Sequence, residues 1–566
     1  MDTGYQEILP VAVLIAAAMV LMIRENHSQK KRRRKRIVDL WGTIPHREYQ
    51  AEELACMADY ARRKYGESLS IDDITWNDLN MDLVYQKINH SMSACGDEYL
   101  YCALRMPELD ETVLNERERL ISYFDCHEKE RVLVQEALDG IGRIYGYSIS
   151  DYIDAIRNVP KRSRKKYFFL SASALVGIAF LFVWPAIGMM VFISFLTINV
   201  IVHSRESGRI DACLKSLMCV LRILRTAGKL GKMEIPELSD YLLRLQVESR
   251  KMRGIRKKCI TLIHTRGMDG DLASMLSSYF NTFFLFDFIS FYSVIRDLKQ
   301  NSNTLTQMIS DIGVLDFAIS VASYRKSLPF YCIPEYVSNG RIEEFVMDLE
   351  DLYHPLLMEP VANSICAKRG ILITGSNASG KSTFLKSVAL NAILAQSIDT
   401  SLSHSYQSVM CRVMTSMALR DDIENGESYY IVEIRSVKRI LDQSRKKEPL
   451  LCVIDEVFRG TNTVERIAAS SQVLFSLRKP QVLCFAATHD IELTYILEEL
   501  YTNYHFEEKV TDQDVEFDYL LKEGRAVGRN AIALLSVMGY EREIVEGAKK
   551  AAARFEENGI WEQLNE

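Results

Sequence analysis

The sequence predicts an α/β C-terminal domain built on a parallel sheet, preceded by a mostly α-helical region and by transmembrane helices. Three observations carry that prediction. Beyond about residue 345, short apolar runs at 371–374, 450–454 and 482–487 alternate with helical patterns, the βα alternation of a parallel sheet with flanking helices. The first of these runs leads into a G-x-x-x-x-G-K-[ST] loop at 375–382. Two long uncharged segments, 8–23 and 167–202, interrupt the N-terminal half.

The loop consists of Gly375, Ser376, Asn377, Ala378, Ser379, Gly380, Lys381 and Ser382, and Thr383 opens a helical pattern that runs to Gln396. A buried strand, a glycine-bearing loop and a helix N-terminus are what a nucleoside triphosphate needs. Backbone N–H groups and the helix dipole face the phosphates, Lys381 neutralises oxygens, and the Ser382 hydroxyl can ligate Mg²⁺. The fold class is therefore a P-loop NTPase, with ATP and Mg²⁺ as the expected ligands. A chance glycine turn is the plain alternative, and the strand–loop–helix context argues against it.

The run Leu450-Leu451-Cys452-Val453-Ile454 ends in Asp455 and Glu456. A buried strand ending in this acidic pair is the second half of an ATPase site. Asp455 would hold the Mg²⁺ shell through water, and Glu456 would orient the attacking water or take its proton. The strand at 482–487 is followed by Thr488 and His489. A histidine at the C-terminal edge of such a sheet can reach the γ-phosphate or the attacking water.

Hydropathy gives the second theme. The segment 8–23 reaches about 24 Å as a helix, against the ~30 Å hydrocarbon core of a bilayer. Tyr5 and a snorkelling Arg24 extend it. A signal peptide is the competing reading, but the leader lacks a positive n-region and no small-residue cleavage site follows. Instead comes the block Lys30, Lys31, Arg32, Arg33, Arg34, Lys35, Arg36, a stop-transfer and positive-inside signal; a nucleic-acid arm is the alternative. The segment 167–202 is about twice one span, with Trp184-Pro185 in its middle and basic residues at both ends. Two helices meeting there put both basic ends on one side. Three spans result, in a multi-pass protein of the cell membrane with its ATPase domain in the cytoplasm; a buried apolar hairpin is the soluble alternative. The stretch 275–295 contains Asn281 and Asp287 and reads as a buried helix, because an ionisable group at mid-bilayer costs roughly 2.5–3.5 kcal/mol; a further span is the alternative.

The chain has 566 residues, 48% hydrophobic and 25% charged, enough for several domains. A net charge of −6 gives no global basic signature for nucleic acid. The 12 cysteines lack any C-x-x-C pair and read as reduced and structural.

Four segments carry a resemblance. They are GSNASGKSTFL at 375–385, GESYYIVE at 426–433, LCVIDEVFRGTNT at 451–463 and FAATHDIELT at 485–494. In this order and spacing they resemble the MutS family of DNA mismatch-repair-type ATPases, over about 345–555. IGVLDFAISVA at 312–322 and the stretch 73–119 are similar to parts of that family's core. No counterpart of its mismatch-reading N-terminal domain is present, and the DNA-gripping clamp would be reduced or absent. The resemblance implies an ABC-type/MutS Mg²⁺-dependent ATPase working as a homodimer on mismatched or structured DNA. Asn377 and the loop glycines would cradle phosphate, Glu456 would be the base and His489 the γ-phosphate sensor. Ser428 would enter the partner's site in trans, and His505 would lie near adenine. The aromatic residue expected before Asn363 is replaced by Pro360-Val361. Residues 531–555 resemble the family's helical dimer-packing extension. An ABC-type transport ATPase subunit, or an ATP-switched membrane scaffold that does not act on DNA, are the competing functions.

The expected organisation is a membrane anchor with basic stop-transfer (1–36), a helical cytosolic region that starts a MutS-like core (37–166), a transmembrane hairpin (167–202), a helical core/lever (203–344) and the ATPase domain with its C-terminal helices (345–566).

Overall fold

The computed structural model describes residues 3–45, 47–66, 70–143, 148–160, 164–265, 280–337, 345–376, 379–417, 429–510, 515–526, 532, 535, 538–559, 561 and 563. The chain separates into two compact units. The first comprises Met1–Gly66, Lys87–Cys102 and Arg119–Ser327, and the second Glu67–Gln86, Ala103–Glu118 and Leu328–Glu566.

The first unit is helical. Its longest element is Pro185–Leu230, 46 residues in one helix. The Trp184-Pro185 break falls where the sequence predicts it, because proline suits the first helical turn and the preceding helix, Arg164–Leu181, has ended. The second arm does not stop near 202, however. It continues as the same helix, and its later half is buried along Ile210, Leu214, Leu217, Leu221, Leu224 and Leu230, a 3.6-residue stripe that faces protein.

Two helices among the described residues are long and apolar enough to cross a membrane: Pro185–Gly208, 11% buried, and Ser302–Ser327, 72% buried. Ser302–Ser327 is the core helix of its unit and was not an expected span. The count of three spans is therefore not met among the described residues. Arg164–Leu181 begins with Arg164, Lys165 and Lys166, which leaves too short an apolar stretch. Residues 8–23 lie in the helix Thr3–Asp39, and of them only Ala17 and those after Met19 lie where side-chain exposure is described. Asn281 and Asp287 are buried, and Asp287 faces His203 at 3.5 Å, as a protein-buried helix requires.

Asp316, at the centre of Ser302–Ser327, is wholly buried. It accepts hydrogen bonds from Met92 N (3.0 Å) and from Ser93 N (2.7 Å) and Oγ (2.5 Å). Burial pushes its pKa up to about 6. A Cβ on Gly96 would stand 2.5 Å from its carboxylate, so only glycine fits. Glu98 is buried against the N-terminus of the helix Ile149–Asn158, where Ile149 N and Ser150 Oγ donate to it. Burial raises its pKa to about 7, against those hydrogen bonds.

The second unit carries three sheets. The strands are β1 (Glu335–Tyr336), β2 (Met347–Leu352), β3 (Asn363–Ala367), β4 (Gly370–Thr374), β5 (Ser405–Ser408), β6 (Arg412–Ser416), β7 (Leu450–Asp455), β8 (Val482–Ala487), β9 (Tyr501–His505), β10 (Glu508–Val510), β11 (Val515–Phe517) and β12 (Lys522–Glu523). A four-stranded sheet has the order β1-β5-β2-β3, β10 pairs with β11, and a six-stranded sheet runs β12-β9-β4-β8-β7-β6. In the last, every neighbour pair is parallel except β12–β9. The helix Lys381–Ile398 packs on β6, β7 and β8. Strands β7 and β8 are buried on both faces, which explains their unbroken apolar runs.

Two short stretches expected in the helical region, 67–86 and 103–118, belong to this unit instead. The helix Asp73–Asp78, capped by Asp72, covers β6, the edge of the sheet. Asp78 Oδ2 accepts from Thr415 Oγ1 (2.7 Å) and Met417 N (3.0 Å), while Thr75 Oγ1 accepts from Thr415 N (3.2 Å). An exposed strand edge invites wrong pairing, and this helix removes it. Arg117, placed by resemblance in the family core, donates to Ser397 O (2.8 Å) and Glu108 (2.6 Å) and so ties off the end of Lys381–Ile398.

Two outcomes follow. Asp78→Ala leaves Met417 N and Thr415 Oγ1 without their acceptor, a loss of about 1–3 kcal/mol; hydrogen exchange at the 415 and 417 amides accelerates accordingly. Glu98 has a folded pKa near 7 against an ordinary value of 4.5. The folded state thus holds this proton more tightly, and the stabilisation is complete below the ordinary value and lost as pH rises through about 7. The melting temperature of the helical unit rises as pH is lowered from about 8 to about 6, and Glu98→Gln flattens that dependence.

Candidate active site

The site forms at the C-terminal ends of β4, β7 and β8, the crevice where ligands bind in open parallel sheets. β4 ends at Thr374 and the phosphate loop follows. Gly375 (φ 141°) and Gly380 (φ 109°) take conformations that side chains resist, and a Cβ on Gly375 would meet Phe506 O at 2.8 Å. Lys381 is the first residue of its helix and only 4% exposed. Its Nζ donates to Gly375 O (2.8 Å) and Ser376 O (2.6 Å), back onto the loop. Burial lowers its pKa, while the nearby Glu456 and Asp455 act in the opposite direction. Ser379 Oγ donates to Ser376 O (2.8 Å), and Ser376 Oγ donates to Glu508 (2.7 Å). Ser382 and Thr383 are exposed. Asn377 and Ala378 lie outside the described residues, as does Ser428.

Across from the loop, β7 delivers Asp455 and Glu456. Glu456 is left-handed at φ 57°, and its N–H donates to Ala487 O (3.0 Å) at the end of β8. Its carboxylate holds two side chains: His489 Nε2 stands 2.7 Å from Oε1, and Arg459 Nε pairs with Oε2. Burial would raise the Glu456 pKa, but the hydrogen bonds and charges of His489 and Arg459 win and hold it at about 2. A carboxylate so strongly held is a poor proton acceptor at neutral pH. In this arrangement Glu456 suits orientation of a nucleophile better than removal of its proton.

Asp455 Oδ1 is buried and has no hydrogen-bond partner among the described residues. An orphaned acceptor whose charge reaches Lys381 would fit a metal's water shell, and Ser382 would offer a hydroxyl, so the residues present could hold Mg²⁺. Among the described residues no cluster of three or more His, Cys, Asp or Glu side chains is grouped to hold a metal.

A cavity of about 470 Å³ joins these groups to an apolar wall. Lys381, Ser382 and Glu456 line its polar end, and Val361, Phe506 and Tyr519 its other end. His505 does not line it. Its Nδ1 meets Gly524 O at 3.2 Å and its Nε2 lies 3.6 Å from Glu507. The aromatic surface that the sequence lacks before Asn363 comes from Phe506 and Tyr519. Asn363 arranges this: its Nδ2 donates to Tyr519 O (3.0 Å) and its Oδ1 accepts from Leu521 N (2.7 Å). Tyr519 is held left-handed, at φ 54°. The sequence reading missed Tyr519, since 156 positions separate it from Asn363.

Comparison with known proteins agrees with this geometry. Residues 371–556 match the family model described as MutS domain V. The C-terminal region carries a MutS-family ATPase domain. The chain is 28% identical over 286 residues to the DNA mismatch repair protein MutS of Aquifex pyrophilus, covering 48% of this chain and 33% of that protein. It is 32% identical over 227 residues to MutS protein homolog 4 of Mus musculus (38% and 22%), and 33% identical over 189 residues to DNA mismatch repair protein MutS 2 of Haloarcula marismortui (33% and 20%). The chain thus spans a third or less of the length of these relatives. Similarity to this domain supports nucleotide binding and ATP hydrolysis in general terms.

Tyr519→Ala strips the apolar end of the cavity of one aromatic face. ATP affinity, measured by titration of a fluorescent analogue, falls about tenfold, or ~1.4 kcal/mol, while Tyr519→Phe stays near wild type.

Proposed function

We propose that this protein is a membrane-anchored, Mg²⁺-dependent MutS-like ATPase whose nucleotide site closes between two copies and couples hydrolysis to binding of mismatched or structured DNA. The observation that carries the ATPase reading is the opposition of Lys381 and Ser382 to the strained, doubly paired Glu456 around one cavity, with Asp455 next to Glu456 at the end of β7. Lys381 is positioned to exchange two loop carbonyls for phosphate oxygens, so its charge is satisfied before and after ATP arrives. His489 lies on the same carboxylate oxygen pair and can follow the γ-phosphate end. Mg²⁺, held by Ser382 and through water by Asp455, would neutralise developing charge on the phosphates. Ser382 and Thr383 remain exposed, and a second surface is needed there to exclude water. That open side supports the dimer, with Ser428 as the residue offered in trans.

The DNA part rests on the names of the relatives, two of which are called DNA mismatch repair proteins. The membrane part rests on the apolar surface of 168–201, where Phe168, Phe169, Phe182, Val183, Trp184 and Met190 are all more than half exposed, and on the basic block at 30–36. With that block inside, the ATPase domain faces the cytoplasm, where ATP is found. The same apolar surface, together with the net charge of −6, favours one second reading, an ATP-driven membrane switch that does not act on DNA.

Turnover by detergent-purified protein, with and without duplex, mismatched and branched DNA, separates the two. DNA stimulates hydrolysis and binds more tightly as salt is lowered if the first reading holds. No affinity and no stimulation at low salt leaves the membrane switch. Glu456→Gln binds ATP and loses turnover by about 10²-fold as the attacking water loses its orienting carboxylate; normal hydrolysis by that variant removes Glu456 from its orienting role.

A further inference from the structure

The loop after β7 contains two non-glycine residues in left-handed conformation, Glu456 (φ 57°) and Phe458 (φ 63°). Such backbone persists only where its surroundings hold it. One side is held by the sheet and a neighbouring helix: Glu456 N donates to Ala487 O (3.0 Å), and Ser470 Oγ, on the helix Thr463–Ser476, donates to Val457 O (3.1 Å). The other side is held by the helix Tyr429–Gln443. Glu433 on that helix is only 3% exposed, and its Oε1 accepts from Arg459 N (3.2 Å). Its Oε2 is buried with no hydrogen-bond partner among the described residues. Three positions earlier, and so on the same helical face, Tyr430 packs edge-on against Phe458 at 6.2 Å. A Cβ on Gly460 would lie 3.0 Å from Tyr430 Cβ, so the loop and the helix are in close contact.

Arg459 thus has two duties. Its backbone N–H goes to Glu433 and its guanidinium to Glu456. We propose that Glu433 is a positioning residue for Glu456: by holding the Arg459 amide it fixes the left-handed loop and keeps the guanidinium on the catalytic carboxylate, so that displacement of the helix Tyr429–Gln443 changes the geometry and the partners of Glu456. Burial of Glu433, which raises its pKa, fits a group selected for an amide contact over a solvated charge. Glu433 is not among the residues that line the cavity, and it acts through Arg459. The role rests on the ATPase reading above.

The test is steady-state ATP hydrolysis by the full chain carrying Glu433→Leu, Glu433→Gln or Gly460→Ala, with kcat and KM measured across pH. Glu433→Leu removes the acceptor, and kcat falls at least tenfold while KM for ATP stays within about threefold. Glu433→Gln keeps a carbonyl acceptor and restores kcat to within about threefold of wild type. Gly460→Ala forces Tyr430 away and lowers kcat without raising KM, which answers the question should Glu433→Leu not fold. Unchanged kcat in Glu433→Leu or Gly460→Ala overturns the proposal, as does an equal loss in the Gln and Leu variants or a loss shared by kcat and ATP affinity. If the wild-type protein itself fails to hydrolyse ATP, the ATPase reading fails and this role falls with it. If the wild type is active and the variants match it, only the role of Glu433 is lost.

Discussion

The register of three parallel strands governs the chemistry of this chain. Ala487, the last residue of β8, is the registered partner of both Ile373 in β4 and Asp455 in β7. Its carbonyl takes the N–H of Glu456, and Thr488 N continues to Ile373 O. The phosphate loop, the acidic pair and His489 therefore leave the sheet in one row. A slip of one residue in β7 would turn its apolar set over and send the acidic pair elsewhere. Burial on both faces makes that slip costly, so the apolar runs at 450–454 and 482–487 serve as an alignment device for charged residues that are not themselves in the core.

The groups so aligned already have partners. Lys381 is satisfied by loop carbonyls, and Glu456 by His489 and Arg459. Leaving any of these groups buried and unpaired would cost far more than the pairs contribute. The ligand must therefore exchange partners with the site, and the groups that give up a partner decide how readily it enters. The orphaned Asp455 Oδ1 is the exception, ready for a ligand without losing an existing bond.

The strands and the chemistry of their ends were legible in the sequence because each is local: an apolar run, then the residues that follow it. Asp455 and Glu456 stand at the end of β7, His489 just past β8, and Lys381 at the helix that follows the loop after β4. Tyr519 was not legible, because its place depends on Asn363, and no local pattern links them. The covering of β6 by 72–78 was equally hidden, since Asp78 and Thr415 lie 337 positions apart. The membrane segments misled in the opposite sense. Hydropathy located the break at Trp184-Pro185 correctly, but it carries no information on where a helix ends when polar residues replace apolar ones without a break in helical propensity. The continuation of Pro185–Leu230 past 202 is the result.

That continuity has a mechanical meaning. At ~1.5 Å per residue the helix is a rod about 70 Å long, with its first third apolar and exposed and its last part locked into the helical unit. A tilt of about 10° at one end of a straight rod of that length sweeps the other by roughly 12 Å. Changes in bilayer thickness or tension, which act by altering helix tilt, would therefore be felt as strain among the side chains packed around Leu217, Leu221 and Leu224. In the membrane-anchored reading proposed above, the same rod would serve both as anchor and as a strain gauge for the bilayer.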